Sequence, residues 1–424
     1  MRLNPVFCAK SIGRMLEYYS QFNPSPLSIK QFIDFGLNAT ERTSFNFLRQ
    51  ELPVRLANIM AEIHLLPEYL LSMPSSKMVH GWYERSFLEI LDFQKSDSND
   101  PAVLNTFVET LIKIRNRHSS VVETMAQGVI ELKESRDVDA VTENSIQYFL
   151  DRFYMSRISI RMLINQHTLL FGGELNGGQS NIGSIDTKCN LVHVIHDAFE
   201  NARFLCEQYY LASPDLIIRG VDGNEPTQLH LVYVPSHLYH IFFELFKNSL
   251  RAVVEHLGSG ESYLIFEYFT PVLYLDVYLS CSSVGTTEFP PIEVRISVGK
   301  EDICIMVSDL GGGIPRSSSD LLFAYTYSTA PQPSPSGSGS APLAGYGYGL
   351  PLSRLYARYF RGDLLVTSME GYGTNALVYL KALTSEANEL LPIFNKASSK
   401  NYEGSVQTSD WSVPGQFSTN LRYF

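Results

Sequence analysis

A glycine-rich segment at residues 171–186 separates two parts of this sequence that have different residue patterns. Before it, large apolar residues recur at three- and four-residue steps over 48–63, 104–112 and 146–164, which is the spacing of amphipathic helices. Thr142 is the expected N-cap of the last of these helices. Because amphipathic helices bury their apolar faces against one another, the first part is predicted to be a helical bundle.

The second part mixes helical and strand-like patterns. A helix is predicted at 191–210, and five short runs predict strands: 229–234, 292–298, 303–307, 364–368 and 376–380. Helices and strands in one unit favour an α/β sandwich over a second bundle. The 424 residues are enough for two such cores, since one core rarely organises more than ~250 residues.

Composition excludes several classes of function. The chain has 33 Lys and Arg against 44 Asp and Glu, a net charge of −11, so broad nucleic-acid binding is not expected. Five scattered cysteines without CxxC spacing argue against a disulfide framework or a zinc site and indicate a reducing compartment. The most apolar stretch, 263–281, contains Glu267, Asp276 and a Thr270-Pro271 break, so no membrane span is expected.

The segment 236–256 predicts an apolar helix with one polar stripe. Spacings of four, three, one and three residues bring five polar side chains onto one face: His240, Glu244, Lys247, Asn248 and Arg251. A solvated face with an ordinary ion pair is the alternative. Such a face would more often repeat interchangeable Glu and Lys, so the mixture of imidazole, acid, amide and cations favours a functional site.

Three glycine-containing turns follow this helix. Asp309 and Gly311 to Gly313 come directly after a predicted strand, where a carboxylate can accept a hydrogen bond from an exocyclic amine such as that of adenine. Residues 345–351 open a predicted helix, whose free N–H groups would face an anion. Residues 371–374 lie between two strands. Taken alone, the Asp309 motif also describes many ordinary turns, 345–351 lacks the Lys-Ser/Thr of a P-loop, and 371–374 is equally readable as a hairpin turn. Residues 330–344 can be read as a flexible linker or as a mobile lid.

The order of these motifs resembles the successive nucleotide-binding boxes of the GHKL ATP-binding superfamily. Seven stretches, together with Asp410-Trp411 in the tail, are similar to the mitochondrial pyruvate dehydrogenase kinases: ELPVRLANIM (51–60), KIRNRH (113–118), PSHLYH (235–240), ELFKNSLRA (244–252), YSTAP (327–331), PLAGYGYGLP (342–351) and YLKAL (379–383). The branched-chain ketoacid dehydrogenase kinases are the next most similar family.

The resemblance implies an α+β chain of two domains. The first would be an N-terminal domain like a four-helix bundle, and the second a GHKL (Bergerat-type) α/β sandwich that binds ATP. The implied boundaries are an N-terminal segment at 1–20, a bundle for lipoyl-domain docking and regulation at 21–175, a kinase domain at 176–383 with an atypical insertion at about 258–287, and a tail at 384–424.

A role is also implied for each residue of the polar stripe. Glu244 would be the general base that polarises the hydroxyl of a substrate serine, and His240 would tune it from one helical turn away. Asn248 would hold the Mg²⁺ that bridges the ATP phosphates. Lys247 and Arg251 would assist at the phosphate end.

The remaining nucleotide contacts follow from the same resemblance. Asp309 would receive the adenine amine, Thr374 would back the adenine pocket, and Ser328 and Thr329 would close over the phosphates. Further nucleotide-binding residues are implied along these motifs: Leu245, Phe246, Ser249, Leu250, Gly311, Gly313, Gly345, Tyr346, Gly347, Tyr348, Gly349 and Leu350.

In the bundle, the resemblance implies a basic pocket for pyruvate-like inhibitors. Its residues would be Tyr83, Ser86, Arg115, His118, Arg157 and Arg161. Arginines suit a small carboxylate because they bind it through two parallel hydrogen bonds. A set of surface ion pairs is the alternative interpretation.

The implied activity is an ATP-dependent protein-serine kinase of the mitochondrial matrix. It would phosphorylate the α subunit of pyruvate dehydrogenase E1 and inactivate the complex, and so regulate glucose oxidation and acetyl-CoA formation. ATP and Mg²⁺ are the implied cofactors, with K⁺ as a further candidate. Implied partners are the lipoyl domains of the E2 acetyltransferase core and a second copy of this chain, held through Asp410-Trp411. The alternatives are a branched-chain ketoacid dehydrogenase kinase, a histidine kinase, and an inactive scaffold that binds lipoyl domains.

Three features depart from the family pattern. Leu310 stands where the family commonly has Arg, and Asn375 stands where Asp is usual. The connection 258–287 is far longer than usual, and we interpret residues 263–281 either as a hairpin specific to this lineage or as a retained intron read as protein. The first 16 residues carry three basic and no acidic side chains, but the stretch is short and poor in serine for a transit peptide.

Overall fold

The computed structural model describes residues 5–173, 180–220, 229–258, 289–329 and 347–395, with side chains from residue 12 onward. Within these ranges a helical domain precedes a domain of mixed helices and strands, which confirms the predicted fold class. The predicted anchor Asp410-Trp411 and the stretches 263–281 and 330–346 lie outside the described residues.

The first domain is built from eight helices within its described residues. Their bounds are α1 Pro5–Tyr19, α2 Ile29–Asn38, α3 Glu41–Ile63, α4 Glu68–Ser72, α5 Pro74–Leu91, α6 Pro101–Arg117, α7 Val121–Ser135 and α8 Ala140–Phe171. The long helices α3 and α8 pack against each other, and α5 and α6 pack around them. Large aromatic side chains of α8, among them Phe149 and Phe153, are fully buried in this core.

The start of α8 corrects one expectation. Its N-cap is Asp139 and not Thr142, and the Asp139 carboxylate accepts a hydrogen bond from the Thr142 N–H at 2.8 Å. Aspartate is the stronger N-cap, so the helix begins one turn earlier than the apolar pattern alone predicts.

The second domain contains two sheets and four helices in its described ranges. The elements are β1 Asn181–Ile182, β2 Ile185–Asn190, α9 Leu191–Tyr210, β3 Leu216–Gly220, β4 His230–Tyr233, α10 Pro235–Gly258, β5 Ile292–Val298, β6 Asp302–Asp309, α11 Arg316–Ser319, α12 Gly349–Tyr359, β7 Asp363–Met369 and β8 Gly373–Lys381. All five predicted strands and the helix at 191–210 are confirmed.

The larger sheet places two of the motifs side by side. Its strand order is β3-β5-β6-β8-β7, with β3 and β5 parallel and the other neighbours antiparallel. The smaller sheet has the order β1-β2-β4. In the register of β6 and β8, Asp309 lies opposite Thr374, so the end of one strand meets the start of the other. α10 packs against β6, α9 and α12, which brings its polar stripe to the same edge.

A buried carboxylate joins the two domains. Glu389 accepts hydrogen bonds from both terminal nitrogens of Arg55 in α3, each at 2.8 Å, and from the Leu27 N–H at 3.0 Å. The Tyr359 hydroxyl at the end of α12 also donates to it. Arg55 and Glu389 are fully buried, so this ion pair is screened little by solvent. The described part of the predicted tail therefore packs as structure between the domains.

Candidate nucleotide-binding and catalytic site

A cavity of about 590 Å³ lies between α10, the ends of β6 and β8, and the start of α12. It brings together most of the predicted nucleotide-binding residues: Glu244, Leu245, Lys247, Asn248, Ser249, Arg251, Asp309, Gly311, Gly313, Ser328, Thr329, Gly347, Gly349, Leu350 and Thr374. Residues as far apart in the chain as Glu244 and Thr374 thus face one space. That space is of the size of a cofactor site.

Some of the predicted residues do not reach this cavity. Phe246 and Leu250 are fully buried. They follow Glu244 by two and six residues, and at these spacings a helix directs side chains to its opposite face. Tyr348 is also buried, and its ring packs against Tyr325 with centroids 5.0 Å apart. Gly345 and Tyr346 lie outside the described residues.

Asp309 forms one end of the cavity. The Ser249 hydroxyl donates to its Oδ2 at 2.9 Å, and the Gly311 N–H donates to its Oδ1 at 3.0 Å. Burial raises the pKa of Asp309, and these hydrogen bonds act in the opposite direction. The Thr374 backbone N–H is a third donor to this carboxylate. A carboxylate offers about four acceptor sites, so Asp309 can still accept a hydrogen bond from a bound amine.

The glycine turn after Asp309 requires residues without side chains. A Cβ at Gly311 would lie 2.6 Å from the Cβ of Ala252 in α10, closer than real atoms approach. Gly313 has a φ of +70° and lies against the backbone carbonyl of Met369. Glycine therefore allows the turn to close on α10 and gives the cavity a fixed wall.

Glu244 lies at the other end, beside the first residue of α12. Its Oε1 pairs with Lys247 Nζ at 2.7 Å, and both side chains are mostly buried. A Cβ on Gly349 would collide with Glu244 Oε2, so the carboxylate lies directly at the amino end of this helix. Asn248 follows Glu244 by one turn and lines the same space. A carboxylate, an ammonium and an amide side chain therefore line the same part of the cavity.

His240 lies behind Glu244 and away from the cavity. Its ring packs on Tyr356 of α12 with centroids 4.7 Å apart. Its Nε2 is buried and has no hydrogen-bond partner among the described residues. Burial lowers the pKa of His240, against the opposing effect of Glu244, so the imidazole is neutral at pH 7. It can therefore act on Glu244 as a neutral neighbour.

The predicted basic pocket forms a second cluster, in the helical domain. The rings of Tyr83 and His118 stack with centroids 4.6 Å apart, and Ser86 Oγ lies 3.0 Å from His118 Nε2. Burial lowers the pKa of His118 to about 4, with nearby arginines acting in the same direction. Arg157 donates to the His118 carbonyl at 3.3 Å, and Arg115 donates to Thr168 at 3.2 Å.

Positive charge accumulates in this cluster. Burial lowers the pKa of Arg161, and the neighbouring charges of Arg157 and Arg115 lower it further. Arg157 and Arg161 form no ion pair with an acid in the part of the chain that the structure describes. The alternative of surface ion pairs therefore does not describe these two arginines, whereas a small anion would offset their charge.

Comparison with known proteins supports both domains. Residues 26–186 match the model for mitochondrial branched-chain alpha-ketoacid dehydrogenase kinase, and residues 233–384 match that for histidine kinase-, DNA gyrase B- and HSP90-like ATPases. The chain is 57% identical over 422 residues to a mitochondrial [pyruvate dehydrogenase (acetyl-transferring)] kinase of Drosophila melanogaster, covering 97% of this chain and 96% of the relative. This chain belongs to the pyruvate dehydrogenase kinase family. Isozyme 4 of Homo sapiens is 52% identical over 412 residues, covering 97% and 94%, and human isozyme 3 is 52% identical over 417 residues, covering 98% and 97%.

Family membership makes the second domain an ATP-binding domain of the GHKL type. The sequence patterns missed some residues that line the cavity of this kinase-family protein, among them Glu255. Glu255 pairs with Arg251 at 3.1 Å and continues the stripe of α10 by four residues, so helical spacing was a usable signal. The basic cluster likewise includes Arg117, which donates to Ser86 Oγ at 2.8 Å and pairs with Glu89 at 2.8 Å.

The helical domain contains a second cavity of about 240 Å³, between α2, α3 and α8. Its walls are largely apolar, with Leu27, Phe32, Phe35, Phe47, Leu48, Leu163 and Leu170 among the lining residues. One polar pair lies in the wall, where Ser44 Oγ is 2.7 Å from His167 Nδ1. No helix within the described ranges of this kinase-family chain is long and apolar enough to cross a membrane.

Proposed function

We propose that this protein transfers the γ-phosphate of ATP to a serine of the pyruvate dehydrogenase E1 α subunit and so inactivates the complex. The observation that carries the proposal is one cavity with an amine acceptor, Asp309, at one end and Glu244 beside Asn248 at the other. We take pyruvate dehydrogenase as the protein substrate because the relatives are named as pyruvate dehydrogenase kinases.

The residues of the cavity suit direct transfer without a phosphoenzyme. Asp309 binds the adenine amine and fixes the base, while the amino end of α12 and Lys247 face the phosphates. Glu244 accepts the proton of the serine hydroxyl. The serine oxygen bonds to the γ-phosphorus while the bond between the γ-phosphorus and the ADP oxygen breaks. The positioning of the reactants thus supplies much of the rate enhancement.

Asn248 fits the role of protein ligand for Mg²⁺. Its amide lines the cavity beside Glu244, and Mg²⁺ characteristically binds one or two protein oxygens together with substrate phosphates. When bound, Mg²⁺ neutralises charge that develops on the phosphates. K⁺ remains a candidate for an additional ion.

Phosphotransfer with two substrates tests the proposal. Purified protein is incubated with labelled ATP, Mg²⁺ and either pyruvate dehydrogenase or branched-chain ketoacid dehydrogenase. We expect acid-stable label on the pyruvate dehydrogenase α subunit and a parallel loss of its activity. Label on the branched-chain enzyme alone would favour that alternative, and ATP binding without transfer would favour the scaffold.

The structure argues against a histidine kinase that would use His118. This side chain is only 6% exposed and is stacked on Tyr83, so it cannot reach a γ-phosphate as an exposed phospho-acceptor would. Acid-labile phosphate on the protein after incubation with ATP would contradict this conclusion.

We further infer that the helical domain docks the lipoyl domains of the E2 acetyltransferase core. The apolar cavity between α2, α3 and α8 has the chemistry to hold a lipoyl arm. A lipoylated domain should bind, an unlipoylated one should bind at least tenfold more weakly, and Phe35→Ala should remove the difference. Equal binding of both forms would contradict this role.

The same proposal extends to assembly and location. The protein would act as a homodimer in the mitochondrial matrix, with the domain boundaries that the sequence implies. Sedimentation would report the dimer. Peptide mass spectrometry of native protein would show whether residues 263–281 are translated, because a complete lack of spanning peptides despite good coverage elsewhere would contradict a genuine hairpin.

A further inference from the structure

One face of α8 contacts the segment that leads into the nucleotide cavity. Gln147, Asp151 and Tyr154 are spaced by four and three residues, so they lie on one face of the helix. They belong to the helical domain, yet all three contact residues 323–326 of the ATP-binding domain, which we name the anchor segment.

Gln147 binds the backbone of the anchor segment twice. Its Nε2 donates to the Phe323 carbonyl at 3.0 Å, and its Oε1 accepts from the Tyr325 N–H at 3.0 Å. One amide thus satisfies a backbone acceptor and a backbone donor, as a neighbouring strand would. This pairing fixes the backbone and depends little on which side chains the anchor segment carries.

Asp151 and Tyr154 add side-chain contacts around this pairing. The Tyr325 hydroxyl donates to Asp151 Oδ1 at 2.9 Å. The Tyr325 ring packs on Tyr154 with centroids 5.6 Å apart, and Tyr348, just before α12, packs on Tyr154 at 5.9 Å. The helical domain therefore contacts the chain at 325, shortly before the lining residue Ser328, and at 348, beside the lining residue Gly349.

The anchor segment continues directly into residues that line the cavity. Ser328 and Thr329 follow it, and the Thr329 hydroxyl accepts a hydrogen bond from Arg251 at 2.8 Å. Gly347 has a φ of +80° and lies against the Tyr327 carbonyl, so these two lining segments touch. A shift of the anchor segment would move Ser328 and Thr329 relative to the stripe of α10.

We propose that Gln147 is a positioning residue for the nucleotide phosphates, acting across the domain interface through the anchor segment. The inference rests on the proposed ATP binding of the cavity but on none of the protein substrates. Gln147 lies outside the cavity lining, so its effect on the nucleotide passes through Ser328 and Thr329.

The chain offers a matched control on the same helix. Gln166 also donates to a backbone carbonyl, that of Ile182 at 2.9 Å, and accepts from a backbone N–H, that of Ser184 at 3.0 Å. Its partners belong to the edge of the smaller sheet and not to the nucleotide cavity. Replacing either glutamine by methionine keeps the length of the side chain and removes both of its hydrogen bonds to the backbone.

The experiment measures the Kd for ADP by calorimetry and the melting temperature without nucleotide, for the full chain and for Gln147→Met and Gln166→Met. We expect Gln147→Met to raise the Kd about tenfold, and Gln166→Met to leave it within about twofold at a similar loss of melting temperature. The KM for ATP should rise with the Kd, while the KM for the protein substrate should stay unchanged.

Two results would overturn the inference. One is an unchanged Kd in Gln147→Met, and the other is an equal rise in both variants, which would indicate general destabilisation. A parent protein that binds no ADP would instead overturn the proposed function, and the positioning role with it.

Discussion

The two ends of the nucleotide cavity are supported in different ways. At the Asp309 end, every contact described for the carboxylate comes from the ATP-binding domain itself, through Ser249, Gly311 and the strand opposite. At the Glu244 end, the anchor segment that leads into Ser328 and Thr329 is held by α8 of the helical domain. The base pocket is thus built by local strand geometry, whereas the phosphate end depends on the contact between domains.

This difference indicates that the adenine end serves mainly to bind the nucleotide, whereas the phosphate end can also be regulated. A strand end and a glycine turn that are packed within one domain move little, so the adenine pocket can be preformed. An end that is completed by a second domain can respond to whatever that domain binds, because its position depends on the interface. The predictions below test this division, from the largest expected effect to the smallest.

Glu244→Gln should abolish most of the phosphotransfer while leaving nucleotide binding intact. The amide keeps the shape of the side chain but cannot accept the serine proton, so the transfer rate should fall by about 10²- to 10⁴-fold. Single-turnover transfer and the Kd for ADP measure the two effects separately. Glu255→Gln, on the same helix and also lining the cavity, is the control and should retain most of the rate. Full activity in Glu244→Gln would refute the assigned base.

Asp309→Ala should have the opposite effect to Glu244→Gln, because it should weaken nucleotide binding at the adenine end of the cavity. Removing the acceptor and leaving the Ser249 hydroxyl and the Gly311 N–H unpaired should weaken ATP binding by about 30-fold, or ~2 kcal/mol. GTP lacks the amine that Asp309 accepts, so its weaker binding should change little. Competition binding with both nucleotides measures the ratio, and an unchanged preference for ATP would contradict the adenine contact.

Gly311→Ala should test whether the base pocket is as tightly packed as the geometry indicates. The added methyl group would meet Ala252 at 2.6 Å, so we expect a loss of about 1–3 kcal/mol in unfolding free energy and weaker ADP binding. Gly81→Ala in α5 is the control, because an added Cβ there meets nothing within 4 Å and alanine favours a helix. Urea unfolding of both variants measures their unfolding free energies. Equal values would show that the turn at Gly311 can shift to accommodate a methyl group.

Asp151→Asn should have the smallest effect, and its sign should depend on pH. Burial raises the pKa of Asp151 to about 6 from an ordinary value of 3.8, against the opposing effects of Tyr325, Arg358 and Arg354. Ionisation therefore costs folding free energy above pH 6, and this cost is absent below about pH 4. Asparagine still accepts from Tyr325, so the variant should be about 1–2 kcal/mol more stable at pH 7.5.

Urea unfolding of Asp151→Asn and the parent at pH 7.5 and pH 4.5 measures this difference. The gain should shrink as the pH falls through the range from 6 to 4. A variant that is less stable at pH 7.5 would show instead that the negative charge of Asp151 stabilises the fold through Arg354 and Arg358. The contact between the domains would then be partly ionic.

The same division explains what the sequence could predict. The polar stripe of α10 and the glycine turns depend on spacing within short segments, so they could be read residue by residue. Helical spacing also places Phe246 and Leu250 on the buried face, although they fall within the family motif. The pairing of Gln147 with residues 323 and 325 joins positions more than 170 apart, and no local pattern encodes such a contact.

The Glu389 ion pair has a consequence for the synthesis of the protein. Arg55 leaves the ribosome 334 residues before its partner, a delay on the order of tens of seconds at ~5–20 residues per second. During that time a guanidinium in the middle of α3 faces a site that lacks one of its carboxylates, so it cannot be buried without a cost in free energy. The helical domain can therefore complete its packing only after the ATP-binding domain has been made, and a ribosome that stops before residue 389 releases a chain whose first domain is unfinished.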